Sequence, residues 1–543
     1  MTDVLIVGSG ASAVHAAWPL VEAGLQVVMV DYGNVDETYA PLIPDEPFSR
    51  LRRTDWRQHV YFLGRDFEGV PLGRVRVGAQ LTPPRRHVTA DVDRLLPLRS
   101  ATFEPTESLA LGGLAAAWGA GVAPFGDEDL RGLPIGRADL EPHYARVAER
   151  IGVSGDGDDD LLPFIWNPPR MQPALEIDAA AEAILTRYAG RRDRLNGRGF
   201  YLGRPRAAIL TRPHRGREAQ RYHDMDFWSD AGRSVWRPQW EVQALRAHPN
   251  FCYLPRRLAL RFEERAGAGV RLQTRHAGDG AIETRSARAL ILAAGTLATA
   301  RIVLRSLGRY EAPVPVVSNP YVYLPALNLG MIGRPGRDRR HSLTQLTAIY
   351  RPPGAEGAPV VAQYYSYRSL LMFKLLKEAP LPLREALPLM RDLTPLFGIW
   401  GVHHPDLPGP GKRLALRAAP GGEDVLEVVY EPTAEELDRR RRVERRLVGF
   451  LRRLGCWPLR RIDPGPGGSI HYAGTFPMTE PSGELTCDAR GRLFGTAGVY
   501  LADGSLFAAL PAKGLTFTMM ANADRVGTAL GRRLTAEGGP PGP

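Results

Sequence analysis

Asp3-Val-Leu-Ile-Val-Gly8-Ser-Gly10-Ala-Ser-Ala13 is an apolar run that meets a G-x-G-x-x-A turn. The residues behind it, 14–24, read as a helix, with Gly24 in the place where glycine ends one. Leu25-Gln-Val-Val-Met-Val-Asp31 then reads as a second buried strand closed by an acid. Strand, turn, helix, strand and acid in this order make a dinucleotide-binding βαβ unit. Gly8 permits the tight turn, and Gly10, with Ala11 beside it, lets backbone approach a pyrophosphate. Ala13 allows helix and strand to pack closely, and Asp31 can accept a hydrogen bond from a ribose hydroxyl. The pattern serves FAD and NAD alike and does not separate them.

At 543 residues the chain exceeds one core, so two domains are expected. With 44% apolar and 24% charged residues, the composition excludes general disorder. Cys252, Cys456 and Cys487 are too widely spaced for a disulfide framework or a metal pattern, which points to structural thiols in a reducing compartment. Residues 4–21 contain no Asp, Glu, Lys or Arg, but Gly8, Gly10 and Pro19 interrupt them and no basic segment precedes them. Neither a signal peptide nor a membrane span is expected, and the expected location is the cytoplasm, with the inner membrane surface as an alternative. The net charge of +11 comes from scattered arginines without a basic, aromatic-interleaved stripe, so nucleic acid is excluded as a partner.

Further along, residues 35–100 read as loops and short strands. Leu111-Gly-Gly113-Leu-Ala-Ala-Ala117-Trp118-Gly119-Ala-Gly121 sets small residues around a double glycine. Such backbone can lie flat against a large planar group with Trp118 as a wall, or simply form a buried turn. Asp139 is expected to N-cap a helix running to Ile151. Residues 154–160 lack calcium-loop spacing and read as a solvated acidic turn. From Phe251 an alternating β segment leads to Ala287-Arg-Ala-Leu-Ile-Leu-Ala293-Ala-Gly295, a buried strand followed by a helix over 299–306. Tyr350, Tyr364, Tyr365 and Tyr367 punctuate strand-like runs within 311–435. Residues 369–377 read as an apolar and basic helix, either core or a lid, with a weak peripheral membrane contact as the lesser alternative. His403-His404-Pro-Asp406 has no metal-ligand spacing and reads as a surface loop, and no metal is expected. Residues 433–454 form an amphipathic helix whose arginines read as a solvated face.

The last informative stretch is 468–525. It holds His471, the only histidine between 405 and 543, in a glycine-rich turn. Then come Val499-Tyr-Leu-Ala-Asp503-Gly504-Ser505 and Pro511-Ala-Lys513-Gly514-Leu-Thr-Phe-Thr518, the latter leading into a helix. A strand ending in Asp-Gly that feeds a helix N-terminus suits a ligand's approach.

The N-terminal fingerprint, Gly112-Gly113…Trp118-Gly119, Ala294-Gly295-Thr…Thr299…Ser306 and His471-x-x-Gly474-Thr475 with Asp503-Gly504-Ser505 occur in one order. Together these motifs resemble the glucose–methanol–choline (GMC) oxidoreductases, FAD enzymes that oxidise alcohols. The resemblance covers roughly half the chain. It implies an α/β fold: a Rossmann-like FAD-binding domain, discontinuous over 1–160, 236–310 and 466–535, with an inserted α+β substrate domain over 161–235 and 311–465. It also implies that Gly8, Gly10, Ala13 and Asp31 hold the ADP half of FAD. Gly112, Gly113, Trp118 and Gly119 would lie along the pyrophosphate and ring, with Ala294 and Gly295 at the nucleotide. Asp503 and Gly504 would cap the flavin, and the helix from about Thr518 would point its positive end at the ring. His471 falls on the family's catalytic base, whose near-neutral unperturbed pKa suits proton abstraction.

The chain departs from that family pattern in places. Ala117 stands where covalent flavoproteins such as pyranose oxidases carry a histidine, which implies non-covalent FAD. Ala300 and Leu307 are milder departures. Gly514 stands where the family has a second catalytic His or Asn, and Lys513 beside it is the substitute the sequence offers. The expected substrate is a small alcohol or sugar, with the electron acceptor left open. The alternatives are a flavoprotein of this fold with lyase-type or lost alcohol-oxidising activity, and a plain NAD enzyme.

Overall fold

The computed structural model describes residues 2–67, 83–223, 225, 229–265, 269–334, 340, 343–352, 358–366, 382, 384–385 and 393–537. The nucleotide pattern produces a five-stranded parallel sheet in the order Val499–Leu501, Ala289–Leu292, Val4–Val7, Val27–Val30, Phe251–Leu254. Each strand is short, and the central three are almost wholly buried, as parallel strands covered on both faces must be. The helix Ala11–Glu22 returns the chain between the first two strands, and Gly24 adopts a positive φ of 79° just past its end. The final helix, Thr516–Glu537, lies against this first one. Their axes come so close at Gly527 that a Cβ there would collide with the Ala16 carbonyl. The helix Arg137–Ile151 covers the same final helix from its other side. Here the buried carboxylate of Asp524 meets His143, Arg146 and Arg150. Burial alone would push that carboxyl up; these three partners overcome it and hold the carboxyl well below the usual range.

A second, six-stranded antiparallel sheet runs Cys456–Pro458, Tyr321–Asn328, Phe397–His403, Val360–Ser366, Leu346–Tyr350, Phe200–Gly203. Its two faces differ because strand residues alternate. One face carries Leu324, Trp400, Ala362, Tyr364 and Ala348. It is sealed by Ile184 and Tyr188 of the helix Ala179–Ala189 and by Leu447, Phe450 and Leu451 of the helix Ala434–Arg453. The latter helix starts with a capping box, Thr433 and Glu436, and turns most of its arginines outward, Arg440 excepted, which lies against Asp406. The other face carries Tyr321, Tyr323, Gly401, His403, Gln363 and Tyr365. A three-stranded sheet, Arg257–Arg265, Gly269–His276 and Ile282–Ala287, flanks the parallel sheet.

Several sequence expectations change. Within the described part of 35–100 the structure is mostly short helices, including Phe48–Thr54 and His59–Leu63, packed through Phe48, Leu51, Tyr61 and Phe62. The helix to Ile151 begins at Arg137, with Gly136 as N-cap; Asp139 acts from the first turn, accepting from the Gly136 N–H at 2.8 Å. In the acidic turn, Asp159 is paired with the wholly buried Arg206 at 2.7 Å rather than solvated. His404 and Asp406 are 3% and 2% exposed, so that segment is interior and not a surface loop. His404 binds Glu444, and Asp406 binds Lys412 and Tyr430, which is how these buried polar groups are satisfied. The helix expected over 369–377, and Tyr367, lie outside the described residues. Among the described residues no helix is long and apolar enough to cross a membrane, and no cluster suited to a metal ion occurs.

His15 sits fully buried in the first helix, stacked on Trp236 at 5.4 Å, with neither ring nitrogen hydrogen-bonded among the described residues. Burial holds its pKa down to about 3, against 6.5 for a free imidazole. The unfolded chain therefore takes up a proton below pH 6.5 that the folded chain refuses. The stability tied to this group is full above that pH and lost as pH falls toward 3, at about 1.4 kcal/mol per pH unit. Unfolding in guanidinium at pH 7.5 and 4.5 should show a shallower acid loss for His15→Phe than for wild type. An identical pH slope would refute the account.

Candidate active site

The chain's candidate residues gather at the carboxyl edge of the parallel sheet, the place where open α/β sheets bind ligands. After the first strand Gly8 turns with φ 99°, and a Cβ there would stand 2.5 Å from the Ala293 carbonyl. Gly10 opens the first helix with no side-chain cap, leaving the helix N-terminus to backbone, and Ala11 and Ala13 are buried behind it. Asp31, at the end of the second strand, accepts from Ser9 Oγ at 2.5 Å and Tyr253 Oη at 3.0 Å. Burial raises its carboxyl to about 6 even against those two bonds. Ser9 Oγ in turn accepts the Gly112 N–H, so the second glycine loop is fastened to the first.

That loop places Gly112 and Gly113 at positive φ, then a short 3₁₀ turn to Ala117. A Cβ on Gly113 would stand 3.6 Å from Gly10 Cα, while one on Gly10 would meet only the Gly112 carbonyl, at 3.8 Å. Trp118 is half-buried and donates its indole N–H to the Trp236 carbonyl, while Gly119 and Gly295 have open space where a side chain would be. Two glycine turns with bare backbone between them form a flat cradle that fits an elongated dinucleotide. Thr475 Oγ1 and Ser505 Oγ, both fully buried, find no hydrogen-bond partner among the described residues. The cradle and these orphaned hydroxyls fit FAD.

Asp503 has an internal task. Its carboxylate accepts from Gly295 N–H at 3.0 Å, Thr299 Oγ1 at 2.6 Å and Ser505 N–H at 3.0 Å, joining the ends of two parallel strands to a helix start. Burial raises its carboxyl above the usual range. Gly504 lies against the Tyr472 carbonyl and Thr296 Oγ1, and Thr518 Oγ1 accepts from Tyr144 Oη and Phe125 N–H. Ala294 lies half-buried beside Gly8.

His471 follows Ile470, whose φ of 63° is rare for a β-branched residue and costs about 1–3 kcal/mol. Antiparallel pairing sets Ser318 opposite Tyr472, which brings Asn319 beside His471. Both amide hydrogens of Asn319 are spent, on the His404 carbonyl at 2.8 Å and the Pro511 carbonyl at 2.9 Å. Its Oδ1 therefore faces His471 Nδ1, 3.1 Å away, and can only accept. His471 carries its proton on Nδ1 and leaves Nε2 as a lone pair. Burial lowers the His471 pKa to about 4. His403 stacks on it with ring centroids 5.4 Å apart, and Tyr321 lies on His403 at 4.3 Å. Lys513 is drawn away into an ion pair with Asp129 at 2.6 Å. At Gly514, next in the chain, a Cβ would meet nothing within 4 Å among the described residues.

A family model described as GMC oxidoreductase matches residues 465–523, the segment carrying His471, Asp503 and Gly514. Over that segment the chain is similar to the GMC oxidoreductases. Among curated relatives of this chain, 6'''-hydroxyparomomycin C oxidase of Streptomyces lividus is 27% identical over 98% of this chain and 92% of that protein. Paromamine 6'-oxidase of Streptomyces fradiae is 24% identical over the same shares. Among solved structures, pyridoxine 4-oxidase from Mesorbium loti superposes with a TM-score of 0.59 at 16% identity, over 98% of this chain and 99% of that one. A formate oxidase of Aspergillus oryzae RIB40, in a mutant studied for FAD modification, gives 0.61 at 14% identity over 99% and 98%. These two likenesses establish the fold.

Asn319 and His403 escaped the sequence reading. Nothing in Ser318-Asn319-Pro320 marks an amide that ties three segments together. His403 was legible in principle, since Phe397-Gly-Ile-Trp-Gly-Val-His403 alternates as a strand. For the cradle, Gly8→Ala forces a Cβ into both a strained φ and the Ala293 carbonyl. It should destabilise by about 3 kcal/mol and release FAD, measured by denaturant melts and flavin content after gel filtration. Full flavin occupancy at wild-type stability would contradict this.

Proposed function

We propose that this chain oxidises a CH–OH group of a polar, sugar-like alcohol, with FAD bound non-covalently in the glycine cradle and His471 as the base. One observation carries the reading: the spent amide hydrogens of Asn319 leave His471 with a free Nε2 lone pair in a buried site. Gly8, Gly10, Gly112 and Gly113 hold the dinucleotide by backbone, and Asp31 takes a ribose hydroxyl. FAD, when bound, supplies the hydride acceptor. His471 Nε2 receives the hydroxyl proton as the carbon gives up its hydride and the C–O bond becomes a carbonyl. The low pKa keeps that lone pair available at neutral pH, and Asn319 prevents the ring from turning. Ala117 offers no nucleophile in the glycine loop, which supports non-covalent attachment. The names of the two curated relatives, oxidases of paromomycin-type compounds, support a sugar-like substrate. The face holding Tyr321, Tyr323, Gln363 and Tyr365 supplies flat rings and hydroxyls of the kind that sugars bind.

A second reading, non-redox chemistry on the same fold, is favoured by one residue: Gly514, where no second polar side chain stands. The two separate in an anaerobic cuvette. The purified yellow protein should bleach with an alcohol or sugar such as paromamine, and His471→Ala should slow bleaching by about 10²–10⁴-fold with flavin content unchanged. The wild-type rate should stay flat from pH 8 to below 6, with its acid limb near 4 rather than 6.5. Protein that is never bleached by any alcohol would favour the second reading, and an unchanged His471→Ala rate would refute the base.

A further inference from the structure

Two neighbouring histidines end the strand Phe397–His403, and the structure treats them differently. His404 points among Glu444 and the arginine helix, where Glu444 Oε1 answers its Nε2 at 3.1 Å. His403, on the opposite face, lies between Tyr321 and His471 and is held by ring stacking. Its Nδ1 is buried without a hydrogen-bond partner among the described residues. Leaving a buried nitrogen unanswered is costly, and such a group needs an explanation. Burial, with His471 and His404 nearby, keeps the His403 ring neutral, so it retains one N–H donor and one acceptor. Beyond that stacking, no hydrogen bond among the described residues uses the ring, and its strand is already paired on both sides, through Tyr321 and Val361. Gly514, meanwhile, brings no side chain to the site and leaves open space among the described residues.

We propose that His403, from the substrate sheet, is a second catalytic residue, hydrogen-bonding the reacting oxygen beside His471 in place of the side chain that Gly514 lacks. The inference rests on the reading of His471 as base. His403 transfers nothing: its N–H donates to the alcohol oxygen and holds it while His471 Nε2 takes the hydroxyl proton. As the O–H and C–H bonds break, negative charge grows on that oxygen, and a neutral donor already in place stabilises it without reorganisation. Stacking serves the same end, because it sets the two rings side by side and presents both to one oxygen. Tyr321 on the far side stops His403 from swinging away.

The test uses FAD-loaded enzyme and anaerobic stopped-flow bleaching. The probe is whichever of paromamine, free hexoses and primary aliphatic alcohols bleaches wild type fastest. His403→Phe keeps a ring between Tyr321 and His471 and should keep flavin content and melting temperature. It should slow bleaching by about 100-fold, with probe affinity changed far less. His403→Asn, which retains a donor, should lose under about tenfold. Gly514→His added to His403→Phe should recover at least about tenfold, since that position has room. Bleaching by His403→Phe at the wild-type rate overturns the proposal, as does an equal loss in His403→Asn and His403→Phe. If His471→Ala bleaches normally while His403→Phe is slow, the base assignment falls and the role of His403 stands. If only His471→Ala is slow, the reverse holds.

Discussion

The side-chain amide of Asn319 is the constraint on which the candidate site depends. It has two donors and one acceptor oxygen, and each meets a different part of the chain. The carbonyl of His404 belongs to the end of the antiparallel sheet, that of Pro511 to the loop before the final helix, and the imidazole to the glycine turn. A buried amide of this kind has one satisfied orientation; rotating it would break three hydrogen bonds in an environment where water cannot replace them. The tautomer of His471 thus follows from two backbone carbonyls, those of His404 and Pro511, that lie far from it in sequence. Asp503 performs the matching service beneath, drawing two strand ends and a helix start onto one carboxylate. With Asp503 locking the floor and Asn319 the wall, the backbone strain at Ile470 is tolerated.

The antiparallel sheet can line a site because its other side is finished. Leu447, Phe450 and Leu451 seal that side with Trp400 and Tyr364, so the core there needs nothing from the site-facing residues. Those are free to be tyrosine, glutamine, histidine and glycine, types that a two-sided core would reject. Tyr365 Oη on Gln363 Oε1, at 2.7 Å, shows that the polar groups of this face have begun to satisfy one another. The same logic explains why most arginines of the long helix can stay outside: Arg441, Arg442 and Arg445 border a groove of about 850 Å³ that reaches in to Leu324 and Glu444.

How much of this was legible depended on whether a signal was local. The βαβ unit was, because glycine spacing, apolar runs and the terminal acid all lie within residues 3–31, each with one physical meaning. The helix ending near Leu454 was legible for the same reason, its period and cap both being written in sequence. The candidate site was legible only where a residue belongs to a motif, as His471 does. His403 and Asn319 act through partners more than sixty residues away, and their neighbours in sequence say nothing of that. Asp159 read as a surface acid because its answering charge, Arg206, is 47 residues distant. Lys513 read as a cation free for the site because Asp129, which binds it, comes 384 residues earlier.

The parallel sheet has a further consequence, for synthesis on the ribosome. Its strand Val4–Val7 is made long before the strand at its far edge, Val499–Leu501. The helix that covers the first helix arrives later still, at Thr516–Glu537. A nascent chain therefore carries an incomplete nucleotide fold while the long stretch between these strands is made, and ordering it early would require contacts of the longest sequence separation. Closing the nucleotide cradle has to wait until both of these late segments have been made, and the strand edge beside Ala289–Leu292 is unpaired until then.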